Sequence, residues 1–140
     1  MWEAGTTPEF DEWFAALSKD AQVEVTAAVT VLRQIGPTLG RPLVDTLKGS
    51  RYANLKELRV GTGGQIIRIA FAFDPLQAVI LLIGGDKGGI SSGLFYRRLI
   101  DLAERLYARH LGSIARRVRE KRDPEEATGK AKGRRKGKRR

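Results

Sequence analysis

The chain has 140 residues, with 26 lysines and arginines against 16 aspartates and glutamates, so its formal net charge is +10. This length fits one domain with a tail better than two domains. The sequence has no cysteine and a single histidine, which excludes a disulfide framework, a thiolate zinc site, a thiol nucleophile and a histidine-rich metal cage. We therefore expect a protein that uses neither a metal nor a cofactor.

The N-terminal segment and the hydropathy pattern indicate a protein that does not enter membranes. Residues 1–4 provide neither a basic nor an apolar leader region. The longest strongly apolar run, residues 78–83, is far shorter than a bilayer span. We expect a cytoplasmic protein with no membrane partner.

The positive charge is concentrated at the C-terminus. Residues 1–115 contain 13 basic and 12 acidic side chains, whereas residues 116–140 contain 13 basic and 4 acidic ones. From about Asp123 onward the chain has too few apolar side chains to offset the entropy of ordering, which predicts disorder. We interpret residues 116–140 as a basic arm for polyphosphate, and the alternative is a tail that only aids solubility.

Two amphipathic helices are predicted near the N-terminus. Thr7 and Pro8 supply a capping residue and a proline at the first helical position, and apolar residues follow at helical spacing. A first helix is therefore expected over residues 8–18. Ser18 or Asp20 caps a second helix, so the two helices form a hairpin.

The second helical pattern stops at Gly36, and residues 37–52 are rich in glycine and proline, which predicts an irregular connection. The hydrophobic period then becomes that of strands. Three strands are predicted over residues 54–60, 65–73 and 77–83, separated by short segments of turn-forming residues. Such short connections favour an antiparallel meander.

The last predicted element is a helix from Ser92 to about Leu111, with apolar side chains at helical spacing. The order of two helices, three strands and one helix predicts a small α+β domain over residues 1–115. In the middle strand, bulky apolar side chains alternate with Arg68 and small residues. We therefore expect the helical hairpin to pack on the bulky face of an antiparallel sheet.

The predicted strands place a cation, Arg68, at the centre of the sheet, where burial is costly unless the charge is paired or exposed in a groove. The strand register is not fixed by the sequence. Either Lys56, or Glu57 together with Arg59, shares a face with Arg68. The ordinary interpretation is that the two arginines form salt bridges with Glu57 or Asp86.

Two further residues complete a candidate site. Lys87 follows the third strand among glycines, and Tyr96 lies near the start of the last helix. Their ordinary interpretations are a solvated turn lysine and a helix residue whose hydroxyl lies at the rim of the core. His110 is better explained by packing near a helix end than by catalysis, and residues 84–89 lack the spacing of a Walker motif, which excludes an ATPase.

Several segments occur in an order that is typical of one group of proteins. These segments are LKG at 47–49, LKELR at 55–59, IRIAF at 67–71, the apolar strand at 78–83 followed by DK, and YARHL at 107–111. In this order, over roughly residues 8–112, the chain resembles the RelE/ParE toxin superfamily and, within it, the HigB-like, phage-derived Gp49-like branch. The resemblance implies a RelE-like fold, with a helical hairpin on a small antiparallel sheet and a C-terminal helix.

The resemblance also implies a function. Such proteins are toxins of type II toxin-antitoxin pairs, and they cut mRNA in the decoding site of the ribosome until a cognate antitoxin, typically a helix-turn-helix protein, inactivates them. Arg68 matches the family's central-strand arginine, Arg59 the arginine that ends the preceding strand, Lys87 the basic residue after the third strand, and Tyr96 approximately the C-terminal tyrosine. Lys56 is a weaker match. The two glycines after Lys87 and the basic tail depart from the pattern.

From these matches we expect a metal-independent endoribonuclease. Arg68 and Arg59 would stabilise the transition-state charge, because guanidinium groups suit phosphate oxygens, and Lys87 or Tyr96 would transfer protons. Further RNA contacts are predicted at Lys56, Arg97, Arg134, Arg135 and Lys136. Two alternatives are a ParE-like gyrase inhibitor with the same fold and a non-enzymatic module that binds RNA or the ribosome.

Overall fold

A computed structural model describes residues 1–122 of the chain. Over this range the secondary structure consists of five strands, three α-helices and one 3₁₀ turn. In chain order they are β1 (Ala4–Thr6), α1 (Pro8–Ala15), α2 (Lys19–Ile35), the 3₁₀ turn (Gly36–Thr38), β2 (Val44–Thr46), β3 (Lys56–Thr62), β4 (Gln65–Phe73), β5 (Val79–Asp86) and α3 (Ser92–Arg122). The predicted α+β class is confirmed.

The helical hairpin begins as predicted. The backbone N–H of Phe10 donates to Thr7 Oγ1 at 2.9 Å, so Thr7 caps α1. This helix ends at Ala15 rather than at residue 18, because Ser18 adopts an extended backbone and caps α2 in turn. Ser18, and not Asp20, is therefore the capping residue between the two helices.

The sheet has the strand order β1-β5-β4-β3-β2. The pairs β2–β3, β3–β4 and β4–β5 are antiparallel, which confirms the predicted meander. Two short edge strands were not predicted, since three residues are too few to show an alternating pattern. The strand β1 pairs in parallel with β5, with Ala4 opposite Val79, so the prediction of a purely antiparallel sheet is wrong at this edge.

The α1–α2 hairpin packs on one face of the sheet, as the sequence predicts. Side chains of β3 and β4 on this face, such as Leu58, Ile69 and Phe71, are fully buried. They form one apolar cluster with Val25 and Leu32 of α2. We call this surface the hairpin face, and it is the core of the protein.

The last helix is longer than predicted. It begins at Ser92 but continues past Gly112 to Arg122, because one glycine inside a helix costs only about 1 kcal/mol and the residues beyond it are mostly good helix formers. The first seven residues of the predicted tail are therefore helical.

The described residues belong to two compact units. The first comprises Met1–Tyr107 and the second begins at Ala108. The predicted disorder after residue 122 and the predicted RNA contacts at Arg134, Arg135 and Lys136 lie outside the described residues. No helix within residues 1–122 combines the length and the apolar character needed to cross a membrane.

Candidate functional site

The pairing of β3 with β4 settles the register that the sequence leaves open. Arg59 lies directly opposite Arg68, and Glu57 lies one pair further along on the same face. Lys56 pairs with Phe71, and so belongs to the hairpin face. Two arginines directly opposite each other repel, so this arrangement requires a carboxylate nearby.

Glu57 provides that carboxylate. It is only 3% exposed, and its Oε2 lies 3.1 Å from Arg59 Nη2. Its Oε1 lies 3.7 Å from Arg68 Nε and accepts a hydrogen bond of 2.8 Å from the hydroxyl of Tyr96. The salt bridges to Glu57 that the ordinary interpretation expects are therefore present, and Asp86 forms none among residues 1–122.

Arg59 is the more fully compensated of the two arginines. Its Nη2 also lies 3.5 Å from Asp45 Oδ2, so it contacts two carboxylates. Burial alone would lower the pKa of Arg59, but the charge and the hydrogen bond of Glu57 outweigh that effect and raise it. Arg59 is thus held firmly in a charged state by its neighbours.

Arg68 is held more loosely. Its contact with Glu57 is longer than a hydrogen bond, and its Nη1 donates to the backbone oxygen of Ile66 at 3.3 Å. The rings of Phe95 and Tyr96 each lie 5.8 Å from its guanidinium carbon, which is cation–π distance. The Nε atoms of both Arg68 and Arg59 are buried without a hydrogen-bond acceptor in the described part of the protein. Within residues 1–122, Arg68 differs from Arg59 in having only one ion-paired carboxylate, at a longer distance.

Arg68 and Lys87 line one open cleft, whose wall also includes Gln65, Ile66, Asp86 and Gly88. We call it the Arg68–Lys87 cleft. Within residues 1–122 neither Lys87 nor Asp86 forms an ion pair, so the charge of Lys87 is available to a ligand. A phosphate in this cleft would meet a guanidinium and an ammonium group, together with the carboxylate of Asp86.

Tyr96 places a phenol next to Arg68. Burial raises the pKa of Tyr96, the hydrogen bond and charge of Glu57 raise it further, and Arg68 opposes both effects. The phenol is therefore protonated at neutral pH and can act as a proton donor but not as a base. Tyr96 lines a second cleft, together with the exposed Arg97.

The structure brings the predicted site residues together in part. Arg59, Arg68 and Tyr96 surround Glu57, and Lys87 joins Arg68 through the cleft. Lys56 lies on the other face of the sheet. In the described part of the chain no three His, Asp or Glu side chains lie close enough to hold a metal ion.

The sequence predicts Glu57 only as a possible salt-bridge partner, whereas the structure places it at the centre of the cluster. A signal was present in the alternation of β3: Glu57 and Arg59 have the same parity, so they must point to the same face. What was missing was the register, because only the pairing with β4 shows that this face also carries Arg68.

Comparisons with known proteins identify the family of this chain. The family model described as "phage derived protein Gp49-like" matches residues 12–108. The chain belongs to the Gp49-like family. The predicted resemblance to the HigB-like branch of the RelE/ParE toxins is thereby confirmed.

Two relatives from Mycobacterium tuberculosis (strain ATCC 25618 / H37Rv) support this assignment. The protein named "Putative toxin HigB3" is 52% identical over 82 residues, which cover 59% of this chain and 70% of that protein. The one named "Putative toxin HigB2" is 43% identical over 103 residues, which cover 73% of this chain but only 51% of that protein. The chain thus spans about half the length of the second relative. The names of these two relatives support, at the general level, a toxin of a toxin-antitoxin system.

Proposed function

We propose that this Gp49-like protein is a ribosome-dependent endoribonuclease that inhibits translation by cutting mRNA without a metal ion, and that it acts in the cytoplasm. The observation that carries the proposal is the Arg68–Lys87 cleft, which presents two cations and the Asp86 carboxylate at an open surface, with the protonated phenol of Tyr96 next to Arg68. We further propose that a cognate antitoxin, of the helix-turn-helix type, holds the toxin inactive.

In the proposed reaction a ribose 2′-hydroxyl loses its proton to water in the open cleft, its oxygen forms a bond to the adjacent phosphorus, and the bond from phosphorus to the 5′-oxygen breaks. The negative charge of the pentacoordinate phosphorane is stabilised by Arg68 and Lys87, because both lie in one cleft and a guanidinium group forms paired hydrogen bonds with phosphate oxygens. Tyr96, whose phenol is protonated at neutral pH, turns its hydroxyl from Glu57 and donates the proton to the leaving 5′-oxygen. Arg68, 5.8 Å from the phenol ring, then stabilises the phenolate.

In this scheme Glu57 and Arg59 act through the other groups. Glu57 orients Tyr96 by a 2.8 Å hydrogen bond and faces Arg68 at 3.7 Å. Arg59 is shared between Glu57 and Asp45, so we assign it to holding Glu57 in place rather than to contacting the phosphate. This differs from the role that the sequence analysis expected for Arg59.

Dependence on the ribosome fits this limited set of reactive groups. No histidine contributes to the cluster, and a cleavage site with few proton-transfer groups gains most from a substrate that is already bent and positioned. We propose that the ribosome supplies this positioning and that residues 116–140, with their large excess of basic side chains, attach the toxin to ribosomal RNA.

The decisive experiment incubates purified full-length protein with ribosomes programmed with a defined message and maps the new 5′ ends. We expect the cleavage rate of Arg68→Ala to be lower by a factor of about 100 or more, the usual cost of removing one group that stabilises transition-state charge. The matched control is Arg98→Ala, which removes an exposed arginine of α3 outside the cluster. Equal cleavage by wild type and Arg68→Ala would refute the proposal.

A second candidate is a non-enzymatic module that binds RNA or the ribosome. The pairing of Arg68 with Glu57 favours it, because a carboxylate in the cluster reduces the positive charge offered to a transition state. This module would block translation without producing new 5′ ends, and truncation after residue 122 would abolish the block. A gyrase inhibitor would leave translation unaffected and instead inhibit DNA supercoiling.

A further inference from the structure

A second cleft adjoins the cluster on the side of the loop that precedes β3. Lys48 lies on one wall and Arg97 of α3 on the other, with Tyr96 between the second cleft and Glu57. We call it the Lys48–Arg97 cleft. All of these residues belong to the unit Met1–Tyr107.

The acidic residues of this cleft already have partners. Asp101 accepts a 2.8 Å contact from Arg105 Nη1. Glu104 Oε2 accepts hydrogen bonds from the hydroxyl of Ser50 at 2.9 Å and from the backbone N–H of Arg51 at 2.7 Å. The carboxylates are thus occupied in holding the walls of the cleft.

The two basic residues of the cleft have no ion-pair partner in the described part of the chain: neither Lys48 nor Arg97 forms an ion pair with any residue between 1 and 122. Arg97 is exposed, and its Nη1 lies near the start of α3, 3.9 Å from the position that a side chain on Gly93 would take. Lys48 and Arg97 can therefore contact a phosphate directly, whereas Glu104, whose two hydrogen-bond donors are uncharged, keeps its negative charge in the cleft.

The walls leave room for a ligand. Gly49 has a φ of +93°, and no atom lies within 4 Å of the position of a Cβ there. The bonds from Glu104 to Ser50 and Arg51 tie the loop that carries Lys48 and Gly49 to α3. The cleft is therefore formed before any ligand binds, which reduces the entropy cost of binding.

Tyr96 links the two clefts. Its ring lies 5.8 Å from the guanidinium carbon of Arg68, which lines the first cleft, and Tyr96 itself lines the second. Cations on both sides of an aromatic residue are typical of surfaces that bind a single strand of nucleic acid, where phosphates contact the cations and bases contact the ring. A free nucleotide would need only one of the clefts.

We infer that the Lys48–Arg97 cleft binds a phosphate of the same RNA strand, flanking the phosphate held by Arg68 and Lys87. This inference rests on the proposed function and adds a second contact site for the substrate. Lys48 and Arg97 act on binding and not on the chemical step, because they lie beyond Tyr96 from the reacting phosphate. Arg97 thereby keeps the RNA-binding role predicted from the sequence, and Lys48 gains one.

The test compares Lys48→Ala, Arg97→Ala and the double variant with wild type, and uses Arg98→Ala as the matched control. For cleavage of ribosome-bound message, we expect KM to rise about tenfold in the double variant, with kcat within twofold of wild type and Arg98→Ala unchanged. Unchanged KM in the double variant, or a loss confined to kcat, would overturn the inference.

A binding measurement separates this inference from the proposed cleavage. Fluorescence anisotropy of a single-stranded oligonucleotide without 2′-hydroxyls, at several salt concentrations, reports binding that no cleavage can affect. We expect the double variant to reduce the salt dependence of binding by about one phosphate contact, a slope change of roughly 0.7. Wild type that binds but never cleaves would refute only the proposed function, whereas an unaltered salt slope in the double variant would refute the second site.

Discussion

The two faces of the central strands β3 and β4 are stabilised by different kinds of interaction. On the hairpin face, Leu58, Ile69 and Phe71 are fully buried among apolar side chains. On the other face, Glu57 lies almost as deeply buried but among two guanidinium groups and a phenol. The same strands therefore provide a core on one side and a charged cluster on the other.

The comparison teaches that burial alone does not identify the core. The hairpin face gains stability from each apolar side chain that it removes from water. The charged face gains much less from its contacts, because ion pairs must first offset the cost of desolvation. We expect substitutions on the hairpin face to affect stability alone and substitutions on the charged face to affect function as well.

The largest stability effect is expected on the hairpin face. Replacing Phe71 by alanine removes a completely buried ring from the apolar cluster and should lower the free energy of unfolding by about 3–5 kcal/mol. Urea denaturation monitored by circular dichroism measures the change. A loss below 1 kcal/mol would mean that this face is not the core.

The next effect concerns the centre of the charged face. Glu57→Ala leaves Arg68 without a carboxylate partner and Arg59 with Asp45 alone, so we expect a loss of about 2–3 kcal/mol. Because both arginines are partly exposed, water reduces the cost below that of a fully buried pair. The same denaturation experiment on Glu57→Gln, which keeps the acceptor for Tyr96, should show a smaller loss.

Two adjacent glycines of β5 test the two faces with the same substitution. A methyl group on Gly84 would overlap the indole of Trp13 on the hairpin face, whereas one on Gly85 would meet Phe95 at an ordinary 3.5 Å. Gly84→Ala should cost about 1–2 kcal/mol through overpacking, and Gly85→Ala less than about 0.5 kcal/mol. Equal costs would contradict the placement of the two residues.

Tyr96→Phe removes one hydrogen bond to Glu57 and should cost about 1 kcal/mol at pH 8. Because the pKa of Tyr96 is raised in the folded protein, its contribution is complete below the ordinary tyrosine pKa near 10 and is lost as the pH rises through the higher folded-state value. The stability difference between wild type and Tyr96→Phe should therefore shrink above pH 10. A difference that grows with pH would show that the pKa of Tyr96 is lowered.

The pKa of Tyr96 also reports on the charge of Glu57. In wild type, ultraviolet titration should show the phenol of Tyr96 ionising above the ordinary range, and this step should be missing in Tyr96→Phe. In Glu57→Gln, the pKa of this phenol should fall toward its ordinary value, since the charge of Glu57 contributes to the shift. An unchanged titration would show that burial alone accounts for the raised pKa.

The helices and strands with long hydrophobic patterns could be predicted from the sequence. The helical hairpin and the three long strands follow from apolar residues at helical or strand spacing, and the position of Arg68 in the middle strand follows from parity. The edge strands β1 and β2 could not be predicted, because three exposed or mixed residues carry no periodic signal. The end of α3 was misplaced because Gly112 and the basic residues after it resemble a helix end followed by a tail.

The candidate site was predictable in composition but not in arrangement. Arg59, Arg68, Lys87 and Tyr96 were singled out by their positions in the sequence. Which of them share a face depends on the register of β3 against β4, and long-range pairing decides that register. For the same reason the sequence could not show that Glu57 lies among them.

The hydrogen bond between Tyr96 and Glu57 joins the last helix to the sheet at the point where the reactive groups gather. In a genetic screen for cells that survive expression of the toxin, substitutions at Glu57 should therefore appear among the escape mutants even though, in our scheme, Glu57 never touches RNA. Escape alone would not distinguish loss of folding, as expected for Phe71 variants, from loss of activity, as expected for Arg68 variants. Measuring the soluble expression of each mutant would show whether the Glu57 variants fail to fold or fold but lack activity.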